Sequence, residues 1–510
     1  MLTRLKVKGF KNLIDTDLYF GPFTCIAGPN GAGKSNLFDA ISFISHLADK
    51  SFVDAARSVR GGDDVSALFS NPENGLIELR AEMLIPNSGI DDFSQKSEAS
   101  ATFVYYELTL ALERTKDPFG TSRIRLEKEE LNYIPKGDAP RRLPFKHSDK
   151  WLSSAVKASA RRTTFIQTDE TQRVKVVRLQ SDRMQDQSKN RRGGGGSTGF
   201  PAKSLPRTVL SSAQNADETR TAVIVRQEMR SWRQLQLEPS ALRAVDDFDS
   251  PPQLDSAGRH IPAVLTRLAR RAGATDAESA DNSPINSVDK NHPADEDFTD
   301  DVNTRLANSL VSLVEDVRAV RVDRDEARRV LRFMMRDKND LELPASSLSD
   351  GTMRFVALSV IELDPQESGL ICLEEPENGI HPQRVNAMLE LLYRISTDAE
   401  HPIGPDNPLR QVIISTHSPG VVKFLDSDDV LFAVSSSSRV GDKKIRSVSF
   451  PGLPGSWRAR ISGRSIPDGI AISYLKGLPP TSQEKENENS IASRYSRQLS
   501  FGFTNELENN

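Results

Sequence analysis

The stretch Gly28-Pro29-Asn30-Gly31-Ala32-Gly33-Lys34-Ser35 constrains the architecture of this chain more than any other part of it. It fits the pattern G-x-x-x-x-G-K-[ST]. The apolar run Phe23-Thr24-Cys25-Ile26-Ala27 precedes it. Leu37, Ala40, Ile41, Ile44 and Leu47 or Ala48 follow on one helical face. A buried strand that feeds a glycine-rich turn into a helix N-terminus is built to hold phosphate. The glycines let backbone N–H groups curl around phosphate oxygens, and the helix end adds partial positive charge. Lys34 would reach the β- and γ-phosphates, and the Ser35 hydroxyl would coordinate Mg²⁺. The expectation is an α/β fold with a parallel sheet that binds ATP and Mg²⁺ through Asn30, Gly31, Ala32, Gly33, Lys34 and Ser35.

A phosphate loop does not name a reaction, because kinases, GTPases and ATPases share it. The rest of the site is sought at the ends of other buried strands, where ligands of open α/β sheets bind. Leu370-Ile371-Cys372-Leu373 is an apolar run ending in Glu374-Glu375. The first acid is placed to hold the metal and the second to polarise an attacking water. Val412-Ile413-Ile414-Ser415-Thr416 is a second such run and ends at His417, which can hydrogen-bond a phosphate or the water. Between the phosphate loop and these strands lies Leu348-Ser349-Asp350-Gly351-Thr352, a small polar cap and a glycine opening an apolar helix.

The remaining chain reads as a mixture of strands and helices. Residues 76–85, 102–113 and 123–134 alternate as an antiparallel sheet would, while 217–245, 261–271 and 302–316 follow helical spacing. Strand-like pieces occupy 317–323 and 328–335. Residues 181–206 and 274–299 are too polar or glycine-rich to pack, and the tail after about 478 is expected to be disordered. No internal repeat or heptad array is present, so no long coiled-coil arm is expected.

The 67 basic and 71 acidic side chains leave a net charge of −4, which does not announce a nucleic-acid binder. Local clusters at Arg57/Arg60, Arg161/Arg162, Arg191/Arg192 and Arg267/Arg270/Arg271 keep direct DNA contact open, although solvated surface is the plainer reading. Cys25 and Cys372 sit inside apolar strands, as reduced core residues rather than a disulfide or a metal site. No run approaches the ~20 apolar residues of a membrane span. The N-terminus lacks the apolar core of a signal peptide. No membrane partner and a cytoplasmic location are expected.

The order of these motifs resembles that of the ABC-type ATPases, with LSDGT in the place of their signature. The motifs "LKVKGFKNL", "GPNGAGKSNLFDAI", "LSDGTMRFVAL", "EEPENGIHP" and "STHSP" look like the RecF/SMC/OLD-like branch. The resemblance is strong over about 1–50 and 300–435. Between them it rests only on "RSWRQLQLEPSALR" and "AGRHIPAVL". It implies an ABC-ATPase head, a parallel-sheet core with an antiparallel β-subdomain and an inserted, mainly helical lobe. The segments would be an N-terminal lobe (1–135), the insertion (136–300), a C-terminal lobe (301–450) and an extension (451–510). It further implies Lys11 near the nucleotide, Asn36 beside the metal, Asn378 in the loop after the acids, and Glu375 and His417 as the catalytic pair. Ser349 and Gly351 would cap the ATP held by another copy, giving an ATP-sandwich homodimer or higher even oligomer.

Three features depart from the family pattern. The first acid is Glu374 where Asp is usual, so the metal contact needs a slight shift or a bridging water. The signature carries Asp350 and Thr352. The glutamine that links nucleotide to insertion has only Gln167 and Gln214 as candidates. Asp426-Ser427-Asp428 formally matches the acidic motif of the nuclease domain that ends OLD proteins, but reads better as a surface turn. The ~80 residues after Asp429 are too few for that domain. Any nuclease effector is therefore expected on a separate polypeptide, as in stand-alone ATPases of the AAA15/AAA_21 type in anti-phage systems such as Septu or PARIS. A RecF-like DNA-repair factor is the alternative, and a non-hydrolysing, ATP-held scaffold is a third reading.

Overall fold

The computed structural model describes residues 1–72, 75–114, 122–159, 161, 163–171, 174–182, 196–280, 297–311, 314, 317–440 and 443–476. Strands β1 (Leu2–Phe10) and β2 (Leu13–Tyr19) lead into the buried β3 (Phe23–Ala27), and the phosphate loop runs on into helix α1 (Lys34–Leu47). Next come β4 (Leu76–Leu84), β5 (Phe103–Arg114), β6 (Ser122–Tyr133), β7 (Ile166–Asp169), β8 (Val176–Gln180) and β9 (Ser197–Pro201). Helix α2 (Ala216–Arg230) and the short β10 (Arg233–Leu235) precede helices α3 (Ile261–Ala280) and α4 (Asp297–Val311). An antiparallel pair, β11 (Val317–Asp325) and β12 (Val330–Asp337), is followed by helix α5 (Asp350–Leu363), β13 (Gly369–Glu374), helix α6 (Val385–Ile395), β14 (Arg410–Thr416) and β15 (Val430–Phe432). The hairpin β16 (Val434–Val440) and β17 (Lys443–Ser449) and helices α7 (Trp457–Ser462) and α8 (Asp468–Leu475) end the described chain.

Two sheets organise these elements. A five-stranded sheet in the order β10-β13-β14-β3-β15 is parallel throughout. An eight-stranded sheet runs β9-β8-β7-β6-β5-β4-β1-β2. Parallel sheets need both faces covered, and the strands show how this is met. Leu370 and Cys372 of β13 and Ile413 of β14 belong to one core, with α1, α2 and the inner face of the antiparallel sheet. Ile371, Leu373, Val412 and Ile414 belong to a second core, with α3, α4, α5 and α6. Alternate residues of one strand thus serve different cores, which is why these runs read as continuously apolar.

The expected antiparallel strands form, and both cysteines are buried and free. The expected helix over 217–245 stops at Arg230, where Ser231 caps it and the chain turns into β10 at the edge of the parallel sheet. The helix expected over 302–316 is displaced to Asp297–Val311, and that expected over 261–271 continues to Ala280. Residues 197–201 of the segment expected to be flexible pair instead with β8, because the antiparallel edge offers free backbone partners. Residues 274–280 and 297–299 are helical, while 183–195, 281–296 and the tail from 477 lie outside the described residues. Asp426-Ser427-Asp428 does form a turn, with the Asp426 carboxylate accepting from Asp428 N at 2.9 Å. The extension is anchored through the buried Arg458, which donates to Tyr19 O at 2.7 Å and Thr24 Oγ1 at 2.8 Å. No helix among the described residues is long and apolar enough to cross a membrane.

Candidate functional site

The site forms where β3, β13 and β14 end side by side. Gly28, at φ 152, leaves β3 and donates its N–H to Thr416 O on β14 at 3.2 Å. Gly33 is left-handed at φ 110, and a Cβ there would meet Asn12 Nδ2 at 2.4 Å, so only glycine fits. Lys34 is buried, and its ammonium curls back to Gly28 O at 2.6 Å and Pro29 O at 3.1 Å. Burial pulls it below the ordinary lysine range, against the attraction of Glu375, Glu374 and Glu377. Asn30 and Gly31 are exposed at the loop tip, and Ala32 is buried beneath it.

Ser35 Oγ donates to Glu374 Oε2 at 3.3 Å. Glu374 also accepts from Gln234 Nε2 at 3.0 Å and from the Arg60 guanidinium at 2.7 Å. A cavity of 350 Å³ opens here, lined by Asp39, Arg60, Gln234, Gln236 and Glu374 among others. The Ser35 hydroxyl and the Glu374 carboxylate, which meet here, are hard oxygen donors of the kind Mg²⁺ takes, and a flip of the Gln234 amide would add a third, so the residues fit the ion. Asn36 follows Ser35, and its amide nitrogen donates to Asn12 Oδ1 at 2.8 Å. Lys11, left-handed at φ 47, is tied to Asp39 at 2.7 Å and to Arg60 O at 2.6 Å, two residues that line the same cavity.

Glu375 leaves the strand in the left-handed region at φ 49, a conformation rare for a non-glycine residue and concentrated at functional sites. Its carboxylate meets His417 Nδ1 at 2.7 Å and accepts from Asn378 Nδ2 at 2.9 Å. A carboxylate can only accept, so the proton of this pair sits on Nδ1. Burial alone would raise the Glu375 carboxyl, but the bonds from Asn378 and His417, with the charges of His417 and Lys34, hold it below the usual glutamate range. An ionised carboxylate oriented by a histidine and an amide can polarise a water.

Ser349 caps α5, accepting from Thr352 N at 3.1 Å. Gly351 sits against the loop after Glu375, where a Cβ would lie 2.8 Å from Gly379 O. The phosphate loop packs on the first core and α5 on the second. Gly28–Ser35, Glu374, Glu375, Asn378 and His417 are thus brought together within one chain. Ser349 and Gly351 approach that group only through the 375–379 loop.

Two site residues escaped the sequence reading. Gln234 stands where the linking glutamine was sought, whereas Gln167 lies on β7 and Gln214 is exposed ahead of α2. The alternation of Gln234 and Gln236 with Leu235 and Leu237 is a strand signal that would have found it. Arg60 entered only as part of a basic cluster. Its Nε–H donates to Asp39 Oδ1 at 3.0 Å, and its terminal nitrogens reach Glu374 and Ser35 O.

A family model described as an AAA domain, putative AbiEii toxin, Type IV TA system matches residues 191–423, and a second, described as an AAA domain, matches 4–192. The OLD nuclease of Thermus scotoductus is 54% identical over 44 residues, 9% of this chain and 8% of that protein. The DNA replication and repair protein RecF of Corynebacterium jeikeium is 28% identical over 89 residues, 17% of this chain and 21% of its own length. The chromosome partition protein Smc of Clostridium kluyveri is 38% identical over 74 residues, 14% of this chain and 6% of that protein. The chain therefore spans about a fifth or less of the length of each of these relatives. A solved SMC head bound to the C-winged helix domain of ScpA aligns over 89% of this chain and 98% of its own, at 13% identity and a TM-score of 0.45. The two family models, both described as AAA domains, meet end to end and together run from residue 4 to residue 423.

Proposed function

We propose that the protein binds ATP with Mg²⁺ and hydrolyses it, and that two copies close on the nucleotide. The observation that carries this reading is the Glu375–His417–Asn378 constellation, one residue beyond Glu374 and beside the phosphate loop. Lys34 would exchange the Gly28 and Pro29 carbonyls for phosphate oxygens, a charge-assisted gain. Ser35, Glu374 and Gln234 would hold Mg²⁺, which when bound neutralises charge on the β- and γ-phosphates. Arg60, now paired with Glu374, would be released toward phosphate. Glu375 would take a proton from the attacking water, with His417 fixing its orientation.

Closure of two copies is supported by the separation of α5 from the phosphate loop onto a different core. The capped N-terminus of α5 is an anion site that its own chain's phosphate loop does not use. Glu375→Gln should keep ATP binding, lose turnover and accumulate ATP-bound dimers in size-exclusion light scattering. A variant that stays monomeric with saturating ATP rejects the sandwich.

The cycle is proposed to control a separate effector, such as a nuclease, in antiviral defence inside the cytoplasm. A family description naming a putative AbiEii toxin, and a relative named OLD nuclease, support that setting. The relatives named RecF and Smc support a second reading, direct DNA binding. Against it, Arg161 and Arg267 of the basic clusters are engaged by Asp182 and Asp364. DNA affinity that is measurable at low salt and falls steeply with added salt would favour the second reading.

A further inference from the structure

Glu377 lies in the loop after the acid pair and has no part in the site described above. Its Oε2 and Arg354 Nε are buried and have no hydrogen-bond partner among the described residues. The Glu377 charge acts on Arg354 and on Tyr474, whose hydroxyl interacts with the Gly28 backbone. They come from three elements. Arg354 is on the signature helix α5, one turn after Gly351. Glu377 is two residues before Gly379, whose carbonyl sits where a Gly351 Cβ would be. Tyr474 is on α8, edge-on to Phe432 with ring centroids 5.4 Å apart.

The other Glu377 oxygen is in use. The Thr416 hydroxyl donates to it and accepts from Ser418 N at 2.9 Å. The Thr416 carbonyl accepts from Gly28 N, the first amide of the phosphate loop, and the next residue is His417. Glu377 therefore stands between the signature helix and the strand end that carries both the phosphate loop's anchor and the Glu375 partner. Buried polar groups without partners are costly and few in native proteins. A cationic donor and a carboxylate left in this state, on two elements in direct contact, mark groups that pair in another state of the molecule.

We propose that Glu377 is a positioning residue that couples the signature helix to the Glu375–His417 pair, its open oxygen receiving Arg354 when nucleotide and a second copy press α5 home. Thr416 then transmits the restraint to His417. This rests on the ATP-driven closure proposed above, and adds the route by which closure reaches the water-activating pair.

The test is a double-mutant cycle on the full chain with Arg354→Met, Glu377→Gln and the two combined, plus Arg354→Lys as a conservative rescue. Turnover is read at saturating ATP, affinity with a fluorescent ATP analogue, and folding by thermal denaturation. Each single change should cut turnover about tenfold or more and move affinity less than about twofold. The double variant should be no slower than the slower single, because both break one link. Arg354→Lys should recover much of the rate. Losses that multiply, or a Lys variant as slow as Met, overturn the coupling and leave a pocket that merely packs. If Glu377→Gln does not fold, Thr416→Val removes the other half of the link and replaces it in the cycle. Should the wild type bind ATP without turning it over, the hydrolysis reading falls alone. The same cycle read on the ATP-dependent dimer dissociation constant then decides the coupling by the same additivity criterion. A wild type that neither hydrolyses nor associates with ATP overturns both.

Discussion

Replacing Gly351 by alanine probes the contact between helix α5 and the loop after Glu375. A Cβ at this position would lie 2.8 Å from Gly379 O and 3.7 Å from its carbonyl carbon. Carbon and oxygen approach comfortably at about 3.3–3.6 Å, so helix or loop must yield by roughly half an ångström. Two terms oppose each other. Alanine is better than glycine inside a helix by about 0.5–1 kcal/mol. Forcing a methyl into a packed contact costs about 1–3 kcal/mol. Here the obstacle is backbone, and the loop is held by Asn378 N to Glu375 O and Ile380 N to Glu377 O, both at 3.0 Å. The upper part of that range applies, and the net loss should be about 1–2 kcal/mol, read as a lower urea midpoint at unchanged slope. Turnover should fall further than stability, since the displaced loop carries Asn378, which orients Glu375. Gly379→Ala is the control, because its Cβ meets only Asp350 Cβ at 3.8 Å and its cost comes from a φ of 78. A Gly351→Ala protein as stable as wild type, with turnover intact, would refute the close approach and leave helix propensity as the deciding term.

Lys34→Ala should weaken ATP-analogue binding by about a hundredfold or more, since a buried charge-assisted contact to phosphate is lost; near-normal affinity by fluorescence titration would refute the assigned role. Ser349→Arg should leave the melting temperature and single-copy ATP binding close to wild type while abolishing dimer-dependent hydrolysis, and surviving hydrolysis would reduce Ser349 to a helix cap. Burial pushes Asp429 up to about 6; the Tyr393 hydroxyl and Arg458 favour its charge, and Asp426 and Asp428 oppose it. The native state thus binds this proton more tightly than the unfolded chain, so the group's contribution to stability falls as pH rises from about 4 to about 6 and stays unfavourable above. Asp429→Asn should therefore gain on wild type by about 2 kcal/mol between about pH 4.5 and about pH 7.5 in urea unfolding, and an equal offset at both values refutes the linkage.

The parts of the site that were legible in the sequence are those encoded locally. The phosphate loop, the Glu374-Glu375 pair and His417 each close a contiguous apolar run, so periodicity and position reveal them together. The antiparallel strands were legible for the same reason. Gln234 was not, because its strand is only three residues long and follows a helix whose apolar spacing runs on through Trp232 and Leu235. Its partner Glu374 is 140 positions away, so only the sheet order shows that they meet. Arg60 is a similar case, since its carboxylate partners come from α1 and from β13. Asn36 and Lys11 show the converse: their neighbourhood was legible, while the partners of their nitrogens, Asn12 and Asp39, were not.

The placement of the first acid follows from strand parity. Along β13, Leu370 and Cys372 face the first core, and Ile371 and Leu373 the second. Glu374 continues the first set and reaches Ser35, Arg60 and Gln234, all on the phosphate-loop side. Glu375 lies past the strand end, and its left-handed backbone turns the carboxylate toward His417 and Asn378. On β14, Thr416 continues Val412 and Ile414 of the second core and meets Glu377. The first carboxylate is thereby placed by the alternation of the strand and the second by the backbone turn that ends it. A relative slip of the two cores should be felt where β13 ends, at the left-handed Glu375, and a displacement of α5 should reach its loop through the close approach of Gly351 to the Gly379 carbonyl.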